Sequence, residues 1–375
     1  MDPLKTLKVG VVGIGRIGRQ HALNLVHHTP RATLVCACSP AEADLAWGKK
    51  TLVPYGVQVF STFEEMIETA GLEAVVIASI SHLHMTHTLA ALDRGIHILC
   101  EKPMCTSIPE VSFSTHAICL SIWANARLKL RDLITRIEAK PQAQCMVGFV
   151  RRFDDSYREA SLKVKQGQIG VPTVIRSQAC ERVDTSPFFR QYLRNSGGIF
   201  VDAIIHDIDL ALVFFGEHSL PKSVAAMGTA TVHTELAEQG DADNAVGICE
   251  FWDGKIAFFY NSRMAAHGYD NMTEVFGTHG KLSINLVPRK NRVEVCDSDG
   301  YVKVEPTPSW YDRYEDAFKI EMNSWVNAVL DGQPMPVPLR SSLTGLVIAT
   351  ALQESLATGR KIFFDERGAR VDNQI

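Results

Sequence analysis

Between Leu7 and Val26 the chain carries the pattern that most narrows what it can become. An apolar run, Leu7 to Val12, breaks at Gly13-Ile-Gly15-Arg-Ile-Gly18, and apolar residues then recur at helical spacing from Arg19 to Val26. Strand, glycine turn and helix in that order are the context in which a glycine triplet reads as a dinucleotide-binding fingerprint. Gly13 allows the tight turn, Gly15 lets the backbone approach a pyrophosphate, and Gly18 lets helix and strand pack closely. Arg16 and Ile17 open a helix whose free N–H groups and partial positive charge face the bound anion.

The same rhythm continues. Ala32 to Cys38 reads as a second strand and Ala41 to Lys50 as a helix. Val57 to Phe60, Ala74 to Ser79 and Ile96 to Cys100 read as further strands, with helices over Glu64 to Thr69 and His84 to Arg94. Strands alternating with helices predict an α/β class, with an N-terminal doubly wound parallel sheet of Rossmann type. After Phe149 longer amphipathic strands take over (Thr173 to Gln178, Ala245 to Phe251, Ile256 to Ser262), with a hairpin-like Trp-Asp-Gly254-Lys turn. Helices are expected over Ser156 to Gln166, Gly197 to Phe215, Asp312 to Leu330 and Ser341 to Thr358. The expected organisation is a dinucleotide-binding domain over 1–149 and, over 150–375, an α+β domain for substrate binding and oligomerisation, built on a mostly antiparallel open sheet. At 375 residues the length suits two domains, one enlarged.

Composition excludes several functions. With 46% hydrophobic and 21% charged residues the chain is ordinary globular material. Thirty-eight Lys and Arg against 42 Asp and Glu leave a net charge of −4, which argues against nucleic acid as a partner. No apolar run reaches the ~18 residues of a membrane span, and the start enters a strand pattern without a signal-like segment. A cytoplasmic protein with no membrane partner is expected. Nine cysteines, several inside apolar runs (Cys36, Cys38, Cys100, Cys145, Cys249), read as buried reduced thiols. Cys36 and Cys38 alternate along a strand, so no metal site is expected.

Three further constellations carry chemistry. NAD-selective folds place an acid at the end of the second strand, about 20 residues past the glycines, to accept from the ribose 2'-hydroxyl. Ser39 stands there, so NAD and NADP both remain open, with Arg16, Lys49 and Lys50 able to offer positive charge to a 2'-phosphate. Cys100-Glu101-Lys102-Pro103 follows an apolar strand, where open α/β sheets bind ligands. Asp202 and His206 stand four apart on an expected helix and become neighbours, with Asp209 three further on and Asp207 turned elsewhere. A carboxylate beside an imidazole raises its basicity, which suits acid–base work.

Taken in order, the glycine triplet, Val75-Val-Ile-Ala-Ser79 with His84, Glu101-Lys102-Pro103, Val147-Gly-Phe-Val-Arg151-Arg152-Phe, and Asp202 with His206 resemble the glucose-fructose oxidoreductase and inositol dehydrogenase family. The stretch Gly148 to Tyr157 is most similar to the inositol 2-dehydrogenase branch. The resemblance spans residues 7 to 364. It implies NAD(P)-dependent oxidation of a secondary hydroxyl on a polyol or sugar, with Lys102, Asp202 and His206 as the catalytic group. His206 would take the hydroxyl proton, Lys102 would stabilise the developing alkoxide, and Asp202 would orient His206. It further implies cofactor contacts from Ser79, His84, Glu101 and Lys102, beside Gly13, Gly15, Arg16, Ile17, Gly18 and Ser39. Arg151, Arg152, Tyr157, His267 and Tyr269 are the candidates for recognising substrate hydroxyls, and a homodimer or homotetramer is the implied assembly.

Two positions depart from the family pattern: Ser39, and Ser79-Ile80-Ser81 in place of the usual Thr-Pro-Asn. The same fold also serves dinucleotide-sensing regulators without turnover, and relatives use a tightly held NAD for internal redox during glycoside cleavage. A zinc-dependent alcohol dehydrogenase lacks its ligand set here. Between Pro103 and Met146 the chain exceeds the roughly 25 residues that a helix and short connection need. Residues 112–131 therefore read as an insertion foreign to the core, of the kind an unspliced intron would produce, against the alternatives of a longer helix or a lid.

Overall fold

The computed structural model describes residues 5–105, 135–137, 139, 143–291, 293–296, 298, 300 and 302–371. The expected insertion at 112–131 lies outside the described residues. Contacts divide the described chain into two units, one of residues up to 105 with 143–153 and 316–343, the other of 154–315 and 344–371.

The first unit is built on β1 (Leu7–Val12), β2 (Ala32–Cys38), β3 (Gln58–Phe60), β4 (Ala74–Ile77), β5 (His97–Glu101) and β6 (Cys145–Gly148). They form one sheet in the order β3-β2-β1-β4-β5-β6, every neighbouring pair parallel. Helices α1 (Arg16–His27), α2 (Glu42–Thr51), α3 (Phe63–Ile67) and α4 (His84–Asp93) make the crossovers. A parallel sheet covered on both faces needs strands that are apolar throughout. β4, Ala-Val-Val-Ile, is accordingly buried at every position. The strand order reverses between β1 and β4, the place where such sheets bind ligands beyond their carboxyl ends. All three sequence motifs of this unit sit at those ends, after β1, β4 and β5.

In the second unit β7 (Pro172–Arg182), β8 (Pro221–Thr229), β9 (Asn244–Phe251), β10 (Ile256–Ala265), β11 (Asp270–Gly277), β12 (Gly280–Ile284), β15 (Ile362–Phe364) and β16 (Arg370–Val371) form a sheet ordered β12-β11-β7-β10-β9-β8-β15-β16. It is antiparallel except for the parallel β7–β10 pair. The expected hairpin joins β9 to β10: Phe251 N–H donates to the Lys255 carbonyl at 2.9 Å, and Gly254 has φ +80°, which an L side chain would strain. A short ribbon, β13 (Glu294–Cys296) with β14 (Val302–Val304), stands apart from this sheet. Alternation along β9 buries Ala245, Cys249 and Phe251 and turns Val246 and Ile248 to the other face.

Helices α5 (Asp155–Lys165), α6 (Pro187–Arg194), α7 (Ile205–Phe215), α8 (Trp310–Asp331) and α9 (Leu339–Thr358) follow along the chain. From residue 316 onward α8 belongs to the first unit. Arg31 clamps Asp331 through both guanidinium nitrogens, and Asn323 donates to the His28 carbonyl at 2.8 Å. A single split at 149/150 does not contain this return. Among the described residues no helix is long and apolar enough to cross a membrane.

Candidate active site

In the first unit the glycine loop has the shape its sequence demands. Gly13 has φ +87°, and a Cβ there would stand 2.7 Å from the Ala78 carbonyl oxygen and from Ser79 Cα. A Cβ on Gly18 would overlap the Gly13 carbonyl oxygen at 1.8 Å. At Gly15 a Cβ would enter open space, with Asp44 Oδ2 at 3.8 Å its sole near neighbour among the described residues. That opening at the start of α1, whose first turn has no acidic residue and no side-chain cap, fits the pyrophosphate of a dinucleotide. Arg16 is exposed beside it, and Ile17 and Gly18 continue the helix.

Ser39 ends β2 as expected, buried, with its hydroxyl donating to Asp44 Oδ2 at 2.9 Å. After β4, Ser79 Oγ lies 3.0 Å from His87 Nδ1. His84 bridges the two remaining loops, with Nδ1 2.8 Å from the Pro103 carbonyl and Nε2 2.9 Å from the Ser79 carbonyl. Burial pushes its pKa down against both contacts, so the neutral ring donates to one carbonyl at a time. Glu101, also buried, accepts from His21 Nε2 at 2.8 Å and from the Lys102 backbone N–H at 3.1 Å. Burial alone would raise this carboxyl, but the His21 bond and charge outweigh it and hold it below its ordinary value. The backbone at Lys102 is thereby fixed from both sides, and the side chain stays partly exposed. Arg151 is buried, and Arg152 donates to Ser341 Oγ at 2.8 Å.

In the second unit the expected regular helix over 197–215 is not what forms around Asp202. Residues Phe200–Ile204 make a π turn before α7 begins at Ile205. Two side chains stabilise this wide turn. Gln353 Oε1 accepts from Phe200 N–H at 3.1 Å, and Asp241 Oδ1 accepts from Ile199 N–H at 2.8 Å. Gly198, at φ +89°, is needed because a Cβ would lie 2.3 Å from Gln353 Cδ. Asp202 is buried, accepting from the Tyr192 hydroxyl at 2.5 Å and from Arg263 Nη2 at 3.2 Å. Arg263 Nη1 reaches Asp241 Oδ2 at 3.2 Å. Burial would lower the guanidinium pKa, but the two carboxylates outweigh it and raise it, so Arg263 stays charged at 1% exposure. His206 lies in the first turn of α7 and is partly exposed, whereas Asp207 turns to the sheet and accepts from Ser177 Oγ at 2.6 Å.

Sequence reasoning missed Tyr192, Arg263, Asp241 and Gln353. The available signal was a lone arginine, the one charged residue of β10. Removing one partner from a buried charge cluster leaves the others uncompensated. Arg263→Met is therefore expected to lower unfolding stability by about 3–5 kcal/mol. A loss below about 1 kcal/mol in denaturant titration would show that Asp202 and Asp241 do not depend on it.

Of the proposed recognition residues, Tyr157 is buried, its hydroxyl 2.9 Å from Thr273 Oγ1 and accepting from Asn271 Nδ2 at 3.3 Å. Tyr269 is also buried, edge-on to Tyr314. His267 is exposed, with Nε2 3.2 Å from Asp270 Oδ2.

Residues 7–117 match the model of the GFO/IDH/MocA family, described as an oxidoreductase family with an NAD-binding Rossmann fold, and residues 157–283 match the GFO/IDH/MocA C-terminal domain. The chain belongs to this family. With inositol dehydrogenases as relatives over its full length, it is an NAD-binding dehydrogenase acting on CH–OH groups, as the sequence resemblance implies. It is 31% identical to the myo-inositol 2-dehydrogenase of Thermotoga maritima, over 96% of this chain and 99% of the relative. To the scyllo-inositol 2-dehydrogenase (NAD(+)) of Bacillus subtilis it is 28% identical, over 97% and 98%. The crystal structure of scyllo-inositol dehydrogenase from Lactobacillus casei, with bound NAD(H) and scyllo-inositol, superposes with a TM-score of 0.85 at 32% identity, covering 96% of this chain and 99% of that one.

Proposed function

We propose that this chain oxidises one secondary hydroxyl of an inositol to the ketone. The observation that carries the reading is the full-length similarity to a dehydrogenase described with NAD(H) and scyllo-inositol, at 32% identity and a TM-score of 0.85. Gly13, Gly15 and Gly18, with the N-terminus of α1, hold the cofactor's pyrophosphate, and the loops after β4 and β5 flank it. NAD, when bound, supplies the acceptor for the hydride that leaves the substrate carbon. His206 takes the hydroxyl proton as the carbon gives up its hydride, which leaves the carbonyl product. Lys102 donates to the substrate oxygen, where negative charge grows in the transition state. Asp202, anchored by Tyr192 and Arg263, orients His206 and favours its protonated form.

Tyr157 and Tyr269 then act as packing for the second unit, and Arg152 and His267 are the better candidates for contacts to the remaining hydroxyls. The cytoplasm is the compartment we assign, supported by the described cysteines, all free and most of them buried. Burial pushes the Cys36 thiol to about 11 and the Cys38 thiol to about 12, so both stay protonated. Copies of the chain pair through the outer sheet face, where Met227, Val246, Ile248, Ile256, Val174 and Phe276 leave apolar surface in water. Met227 is 75% and Ile248 47% exposed, and the register puts these residues on one side of the sheet. Light scattering of the purified protein tests the pairing.

NADH formation across myo-, scyllo- and chiro-inositol, linear polyols and aldoses tests the substrate. One inositol is expected to exceed the linear polyols in kcat/KM by about tenfold or more. Turnover of aldoses alone would overturn the reading.

A further inference from the structure

The strand-end position that usually discriminates NAD from NADP is a serine, yet a carboxylate stands at that place in space. Asp44 lies in the first turn of α2, five residues beyond Ser39 in the chain. A helical turn brings it back to the end of β2, and its Oδ2 accepts from Ser39 Oγ at 2.9 Å. The same oxygen lies 3.8 Å from where a Cβ on Gly15 would stand, so the acid also borders the glycine loop. Its side chain keeps 20% exposure, and its other oxygen accepts from Arg19 Nη2 at 2.8 Å.

We propose that Asp44, presented by Ser39 and Arg19, is the residue that selects NAD, accepting from the ribose 2'-hydroxyl and repelling a 2'-phosphate. Ser39 is then the support of the acid rather than its substitute. Its hydroxyl proton is committed to Asp44, which fixes one oxygen, and a carboxylate has further lone pairs with which to accept a ribose hydroxyl. Arg19 does not serve as a phosphate clamp. Its Nε donates to the Ile14 carbonyl at 3.2 Å, its Nη2 to Asp44, and its guanidinium lies 5.0 Å over the Trp47 ring. Lys49 and Lys50 sit in the last turn of α2, about 8 Å further along the helix axis at 1.5 Å per residue, away from the 2'-position that Asp44 guards.

Fluorescence titration of the purified full chain with NADH and with NADPH tests this without turnover. The wild type is expected to bind NADH more tightly, and Asp44→Asn to shrink the ratio of the two dissociation constants by about 10- to 100-fold, the range for a hydrogen bond to a charged group. Ser39→Ala is expected to shift it less than Asp44→Asn, because it removes a support of the acid and leaves the acid in place. Ser39→Asp added to Asp44→Asn restores the preference by returning an acid to the strand end. Asp44→Asn with wild-type thermal stability and an unchanged ratio overturns the proposal. So does a wild type that binds NADPH as tightly as NADH, a result that needs no variant to fold. Binding of neither dinucleotide would overturn the cofactor assignment along with it.

Discussion

Replacing His206 by Asn is expected to lower kcat for inositol oxidation by about 10²–10⁴-fold, the range for losing a positioned general base. Asparagine keeps a polar side chain of similar reach in the first turn of α7 but takes no proton at neutral pH. Other side chains hold the backbone of this turn. Gln353 and Asp241 secure the backbone of the π turn, and Tyr192 and Arg263 secure Asp202. Thermal stability and NADH binding are therefore expected to stay near wild type while kcat falls. The pH profile separates chemistry from packing. Wild-type kcat/KM should rise with pH through a limb that reports deprotonation of the base, and the variant should lose that limb. A variant that retains the limb, or loses less than about tenfold in kcat, assigns the base to another group.

What the amino-acid sequence reveals, and what it hides, follows from which interactions leave a periodic trace. Strands buried on both faces are continuous apolar runs, so β1 and β2 were legible to the residue as Leu7–Val12 and Ala32–Cys38. The glycine loop was legible because each glycine answers a separate steric demand, and the structure meets them with clashes of 2.7 and 1.8 Å for any Cβ at Gly13 and Gly18. The π turn at Phe200–Ile204 was not legible, since a reading at 3.6 residues per turn runs through it without a break. Its cause lies in Gln353 and Asp241, which are 153 and 42 residues from the backbone they hold. The return of α8 to the first unit rests on pairs such as Arg31 with Asp331, 300 residues apart, which no local pattern announces. Asp44 is hidden for a subtler reason: it stands five residues past Ser39, behind Glu42, and the first turn of α2 folds it back to the strand end.

Lys102→Met is expected to reduce kcat by about 10²–10³-fold, the range for removing one donor aimed at developing negative charge. Methionine preserves the length and flexibility of the stem and removes the ammonium. The loop that carries it is fixed by other groups: Glu101 accepts from the Lys102 backbone N–H and from His21, and His84 ties the Pro103 carbonyl to the Ser79 carbonyl. None of these bonds uses the lysine side chain, so the loop is expected to keep its conformation in the variant. The loss should fall on kcat with little change in KM, because the donor matters most where charge develops and not in the ground state. Pairing the two variants then asks whether Lys102 and His206 serve the same oxygen. Groups that act on one proton and the charge it leaves behind are non-additive, so the double variant should lose clearly less than the product of the single losses. Fully multiplicative losses would mean that the two side chains act independently, and a Lys102→Met enzyme with wild-type kcat would remove the lysine from the reaction altogether.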